Sequence, residues 1–249
     1  MTDPRALARA YLAQQQSLGT DAVVLPEGGA PAQAPETVRK TEGSLPPPGL
    51  SFDPPAVDLF ATDPLQHALT VSAVAELVAE CRQCRLCESR THTVPGEGPA
   101  DARLVVIGEG PGRTEDETGR PFVGKAGELL TKILAAIELP REQVFICNVV
   151  KCRPPENRLP QYDEVAACVP YLFRQIELVK PKVILAMGGT AAQTLLNTKQ
   201  SLGSLRDHVH RFRGIPVVVT YHPAALLRNP NWKRPTWDDV RIARRILDD

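Results

Sequence analysis

No apolar run in this sequence approaches the ~18 to 20 residues that a membrane-spanning helix needs. Its first residues, MTDPRALARAYLAQQQ, lack the apolar core of a secretory signal. Both absences point to a cytoplasmic protein with no membrane partner. No internal repeat is visible, so the chain does not read as a solenoid of stacked units. Net charge is also missing, with 29 basic and 29 acidic residues, but the balance hides an asymmetry. The first 78 residues hold nine acids and four bases, so the remainder carries a net +5. That surplus is compatible with an anionic partner such as DNA.

What is present fits one domain with an appended tail. A chain of 249 residues, 43% hydrophobic, can bury a sizeable core. Residues 4–18 could form a short helix, with Leu7, Tyr11, Leu12 and Leu18 roughly on one side. From Gly19 to Pro64 the chain carries Pro26, Pro31, Pro35, Pro46, Pro47, Pro48, Pro54 and Pro55 and little apolar periodicity. We expect residues 1–65 to be a disordered proline-rich extension and residues 66–249 to be the folded domain.

Within that domain Leu69, Ala73, Val74, Leu77 and Val78 recur at helical spacing and run into Cys81. Short apolar runs then alternate with amphipathic segments. Strands are expected at 103–108, 144–149, 183–186 and 215–220, and helices at 124–137, 161–179, 189–196 and 236–247. Parallel strands need crossover connections, which the helices supply. The expected fold is a three-layer α/β/α sandwich around a mainly parallel four-stranded sheet. Ligands of such sheets bind beyond the carboxyl ends of the strands. Three of those ends carry unusual loops: GEGPG from Gly108, NVVKCRPPENRLP from Asn148 and YHPAALLRNP from Tyr221.

The first loop, Gly108 to Asp116, has three glycines in five positions, which lets backbone approach a ligand and lets its amides hold an anion. Taken alone it reads first as a tight strand-to-helix turn. Read with ETGRPFVGKAGELL, NVVKCRPPENRLP and HPAALLRNP, it resembles the type 4, iron-sulfur uracil-DNA glycosylases of the uracil-DNA glycosylase superfamily. The resemblance runs from Cys81 to the C-terminal helix, about two-thirds of the chain. It implies a base-excision repair enzyme that flips uracil out of DNA, hydrolyses its N-glycosidic bond, and leaves an abasic site.

The resemblance also implies residue roles. Phe122 would stack on the flipped uracil, with Gly110 and Pro111 beside it. Asn148 would pair with the uracil edge, since an amide matches both the O4 acceptor and the N3 donor, whereas cytosine opposes both. His222 would donate to uracil O2, where negative charge develops. To activate water, Glu109 is the first candidate and Glu115 the second; the competing role for Glu115 and Asp116 is to cap the next helix. Other branches of the superfamily have an aspartate where this chain has Gly110. Leu226 or Leu227 is a candidate wedge into the base stack, with the other anchoring the loop, and Arg228 would meet phosphate.

Six cysteines in a reducing compartment suggest metal ligation or buried thiols before disulfides. Cys81 and Cys84, then Cys152 and Cys168, match the four thiolate ligands of a 4Fe-4S cluster in the family resembled. Four cysteines alone suit zinc as well. The cluster would pin the first helix to the loop 152–160 and hold Lys151, Arg153 and Arg158 towards DNA. Cys87 and Cys147 are read as non-ligands.

Rival readings are a sister glycosylase for other deaminated bases and a non-catalytic iron-sulfur DNA-binding or electron-transfer module. A branch that links covalently through a histidine is disfavoured, because VVKCRPPENRLP contains none. The expected partner is uracil-containing DNA, engaged by a monomer in the nucleoid. Ala56-Val57-Asp58-Leu59-Phe60 resembles the short peptide that docks repair proteins on the bacterial sliding clamp, without its usual leading glutamine. An incidental apolar pair in a linker is the competing reading.

Overall fold

The computed structural model describes residues 63–249. The helix at 4–18, the proline-rich stretch and the Ala56–Phe60 motif therefore lie outside the described residues. The expected start of the domain at Gln66 falls inside the first helical turn, α1 (Pro64–His67).

The strands are β1 (Leu104–Gly108), β2 (Phe145–Asn148), β3 (Val183–Met187), β4 (Val209–Phe212) and β5 (Ile215–Thr220). They form one sheet in the order β2-β1-β3-β5-β4. The first four in that order are parallel, and β4 runs antiparallel to β5 at the edge. The sheet thus has five strands rather than the four expected. Parallel strands covered on both faces read as unbroken apolar runs, and β1 and β3 are buried throughout. β4, VHRF, is mostly exposed and offers no such run, which is why sequence patterning missed it.

The helices are α2 (Val71–Glu80), α3 (Arg113–Thr118), α4 (Lys125–Ala136), α5 (Tyr162–Val179), α6 (Gly189–Leu196), α7 (Leu202–Leu205), α8 (Pro223–Arg228) and α9 (Lys233–Asp248). Alternate strand residues face opposite layers. Val105, Ile107, Ile184, Ala186, Val217 and Val219 share a core with α2, α5 and α6. Leu104, Val106, Ile146, Leu185, Met187 and Val218 share the other with α4 and α9. These are the three expected layers.

Local chemistry sets the helix starts. Thr70 caps α2 by accepting the Ala73 N–H at 3.1 Å. α5 begins at a reciprocal cap in which the Gln161 N–H donates to Glu164 at 2.7 Å. None of the described helices is long and apolar enough to cross a membrane.

Candidate active site

The carboxyl ends of β1, β2, β3 and β5 open onto a cleft of about 660 Å³. Its lining includes Glu109, Gly110, Pro111, Glu115, Phe122, Asn148, His222 and Arg228, drawn from loops more than a hundred residues apart in sequence.

Gly108 and Asn148 face each other as the last register pair of β1 and β2. A Cβ on Gly108 would lie 2.5 Å from both Asn148 Oδ1 and Phe122 Cζ, so glycine there makes room for the two side chains. Asn148 is buried, and its Oδ1 has no hydrogen-bond partner, which no other buried side-chain N or O among the described residues shares. A desolvated acceptor left unpaired costs about 1 to 3 kcal/mol. In the cleft lining it can accept from a donor on a ligand.

Phe122 has φ 51°, in the left-handed region. Two devices hold it there. Arg141 donates to the carbonyls of Phe122 and Pro121 at 2.9 and 2.5 Å. Gly127 in α4 lies so close that a Cβ would sit 1.9 Å from the Phe122 carbonyl oxygen. The Phe122 and His222 rings stand 5.5 Å apart, inclined at 32°. His222 caps α8 by accepting the Ala224 N–H at Nδ1, 3.2 Å away, which leaves Nε2 to carry the proton. Burial of the ring, with the Arg228 charge nearby, pulls its pKa down to about 4, so it is a neutral donor.

The two candidate bases part company. Glu115 is fully engaged: one carboxylate oxygen accepts from Gly112 N–H, the other from Val123 and Gly124 N–H at 2.9 and 2.8 Å. It ties the glycine loop to the Phe122 loop and has the capping role weighed against catalysis. Asp116 likewise accepts the Thr91 N–H at 2.9 Å. Glu109 accepts one side-chain hydrogen bond, from the Thr190 hydroxyl at 2.6 Å on its Oε2. Its Oε1 is left for the cleft.

The wedge candidates also separate, since Leu226 is 1% exposed and Leu227 50%. Lys151 was expected to face DNA, but it is buried. Its ammonium donates to the Asn148 carbonyl at 2.8 Å and to Gln175 at 2.7 Å, so it braces the strand end that carries Asn148. Sequence gave Lys151 a different role, and it singled out neither Arg141 nor Thr190, because those two act across distances that spacing does not encode.

Cys81, Cys84, Cys152 and Cys168 line a second, small cavity of about 10 Å³, together with Cys87 and Tyr171. Cys147 is buried in β2, away from that lining. Among the described residues no three His, Cys, Asp or Glu side chains converge closely enough to hold one metal ion. Arg90 donates to Cys152 Sγ at 3.1 Å and the Lys151 N–H to Cys168 Sγ at 3.2 Å. Burial pushes the Cys84 and Cys152 thiols up and Cys168 to about 12. Thiolates here would need nearby positive charge to compensate them.

The chain belongs to the uracil DNA glycosylase superfamily, whose family model matches residues 95–241. It is 46% identical over 178 residues to the Type-4 uracil-DNA glycosylase of Thermotoga maritima, covering 70% of this chain and 93% of that protein. It is 41% identical over 186 residues to the Type-4 enzyme of Sulfurisphaera tokodaii, covering 71% of this chain and 84% of that one. The Type-5 uracil-DNA glycosylase of Pyrobaculum aerophilum stands further off, 31% identical over 174 residues, or 63% of this chain and 76% of that protein.

Proposed function

We propose that this chain is a uracil-DNA glycosylase that takes uracil out of the DNA stack and hydrolyses its N-glycosidic bond. The observation that carries the reading is the unpartnered Asn148 Oδ1 on the cleft floor beside Phe122. Uracil N3–H supplies the missing donor, and the Asn148 amide N–H donates to O4. Cytosine offers an acceptor at N3 and a donor at position 4, leaving both groups opposed at about 1 to 3 kcal/mol each.

The rest of the cleft supports one reaction course. Phe122 stacks on the extruded ring. The bond from sugar to N1 breaks as negative charge gathers on the ring, and His222 Nε2–H donates to O2 where that charge develops. A neutral imidazole suits this task because it needs no proton to be displaced. Glu109 Oε1 orients the attacking water and takes its proton, while Thr190 holds the other oxygen. The backbone of Gly110 and Pro111 walls that side of the cleft. Leu227 fills the gap left by the flipped base, Leu226 anchors the helix, and Arg228 meets phosphate.

The donor set of the second cavity fits a 4Fe-4S cluster held by Cys81, Cys84, Cys152 and Cys168, with N–H donors to sulfur from Arg90 and Lys151. When bound, such a cluster supplies a covalent clamp between the segment after α2, the loop 151–160 and α5. The side chains already trace the same link. Glu164, one turn before Cys168, accepts from Arg85 in the cysteine segment at 3.0 Å and from Arg158 at the cleft wall at 2.6 Å.

The test is strand cleavage at abasic sites. A labelled oligonucleotide with one uracil is incubated with the protein and treated with alkali. Wild type is expected to give breaks that fall sharply in Asn148→Ala and His222→Ala. Absence of breaks from wild-type protein would overturn the reading.

A further inference from the structure

The cleft has more room than one pyrimidine ring fills, and it runs on to a rim that includes Tyr221 and Trp232. Tyr221 and Trp232 at that rim belong to a stack of three planar groups, the third being the buried Arg206. The Arg206 guanidinium carbon lies 4.4 Å from the centroid of the Tyr221 ring. The Tyr221 and Trp232 rings are 4.6 Å apart with planes 8° from parallel.

Both ends of the stack are held. Arg206 donates twice to the buried Asp239, at 2.8 and 3.0 Å, and Asp239 also accepts from the Thr220 hydroxyl at 2.7 Å. At the other end the Asn229 side chain caps the short turn Pro230–Trp232, and the Trp232 carbonyl accepts from the Thr236 hydroxyl at 2.8 Å. Trp232 nevertheless keeps 37% of its surface exposed. Here it is pre-oriented, with one face on Tyr221 and part of its surface in the cleft.

We propose that Trp232 is a stacking platform for an unpaired nucleobase next to the flipped uracil in the DNA strand. Extruding a base and inserting Leu227, which lies five residues before Trp232, strips the neighbouring base of a stacking partner. Leu227 fills the gap itself, and Trp232 offers the displaced neighbour an aromatic face. The contact is to the π-face, so it holds any base and carries no sequence preference. Arg228, in the same cleft, is placed for the connecting phosphate. The assignment rests on the glycosylase reading, but it is measured separately from it.

The chain has two tryptophans, so Trp237→Phe leaves Trp232 as the sole reporter. The probe is a single-stranded oligothymidylate with a tetrahydrofuran abasic analogue in place of uridine. Titration is expected to quench Trp232 emission saturably. In the native background Trp232→Ala is expected to weaken binding of the probe about tenfold and to raise KM for uracil release more than it lowers kcat, while Trp232→Phe keeps most of the affinity. Probe binding seen by anisotropy with no change in Trp232 emission would overturn the platform, as would equal affinity of Trp232→Ala and wild type. The probe contains no uracil. Quenching without uracil release from wild type would therefore sink the glycosylase reading and leave the platform standing, and release without quenching would do the reverse.

Discussion

His222 offers the sharpest test of how this cleft works. Its ring is desolvated, Arg228 adds a like charge, and together they pull its pKa from 6.5 to about 4. At about 1.4 kcal/mol per pKa unit, the folded site resists protonation by about 3 kcal/mol, an upper bound because part of the ring meets the cleft. As pH falls through 6.5 the unfolded chain takes up a proton that the folded chain refuses, so this residue costs stability progressively between pH 6.5 and about 4, and no more below that. Nothing of the kind applies to its chemistry, since the neutral donor persists down to about pH 4. The assay is a 15N-imidazole NMR titration of the protein. It should show an Nε2-protonated neutral ring at pH 6 with a midpoint near 4, and Arg228→Ala should move that midpoint upward by removing the second cause. A His222 midpoint near 6.5, or an Nδ1–H tautomer, would refute the argument, because the Ala224 N–H would then have no acceptor.

Three further outcomes follow from the same geometry. Glu164 has no exposed side-chain surface, and the hydrogen bond from Arg158 first, with the Gln161 N–H and Arg85, draws its pKa down to about 2. Its stabilisation is present above about pH 4.5 and is lost as pH falls towards 2, so Glu164→Gln should cost up to about 3 kcal/mol at pH 7, less with screening through the partly exposed arginines, and much less near pH 2; urea unfolding at both pH values reads this. Thr190→Val removes the donor to Glu109 and is expected to slow single-turnover uracil release about tenfold or more, with Thr190→Ser restoring it; equal rates for Val and wild type would remove Thr190 from the mechanism. Leu226→Ala should cost about 2 to 5 kcal/mol in thermal or urea unfolding, whereas Leu227→Ala should change stability by less than about 0.5 kcal/mol and slow release from duplex more than from single-stranded DNA.

The layered α/β architecture was legible because buried parallel strands write themselves as apolar runs and crossover helices as 3.6-residue periodicity. The strands from Leu104, Phe145, Val183 and Ile215 all stand within a residue or so of where patterning put them. The edge strand at Val209–Phe212 was not legible, since an exposed strand needs no apolar signature.

For the site, sequence by itself determined the family and which loops line the cleft: the glycine turn, the Asn148 strand end and the His222 segment are local motifs, carried whole in consecutive residues. Tertiary structure alone separated neighbours of the same type by burial and by partners. Glu109 and Glu115 differ by where their oxygens find donors, Leu226 and Leu227 by which side of a short helix meets the core, and Lys151 by burial beneath Asn148. A residue's chemistry is set by its own side chain and is written in the sequence. Its accessibility and its partners are set by segments distant along the chain, and those meet only in the fold.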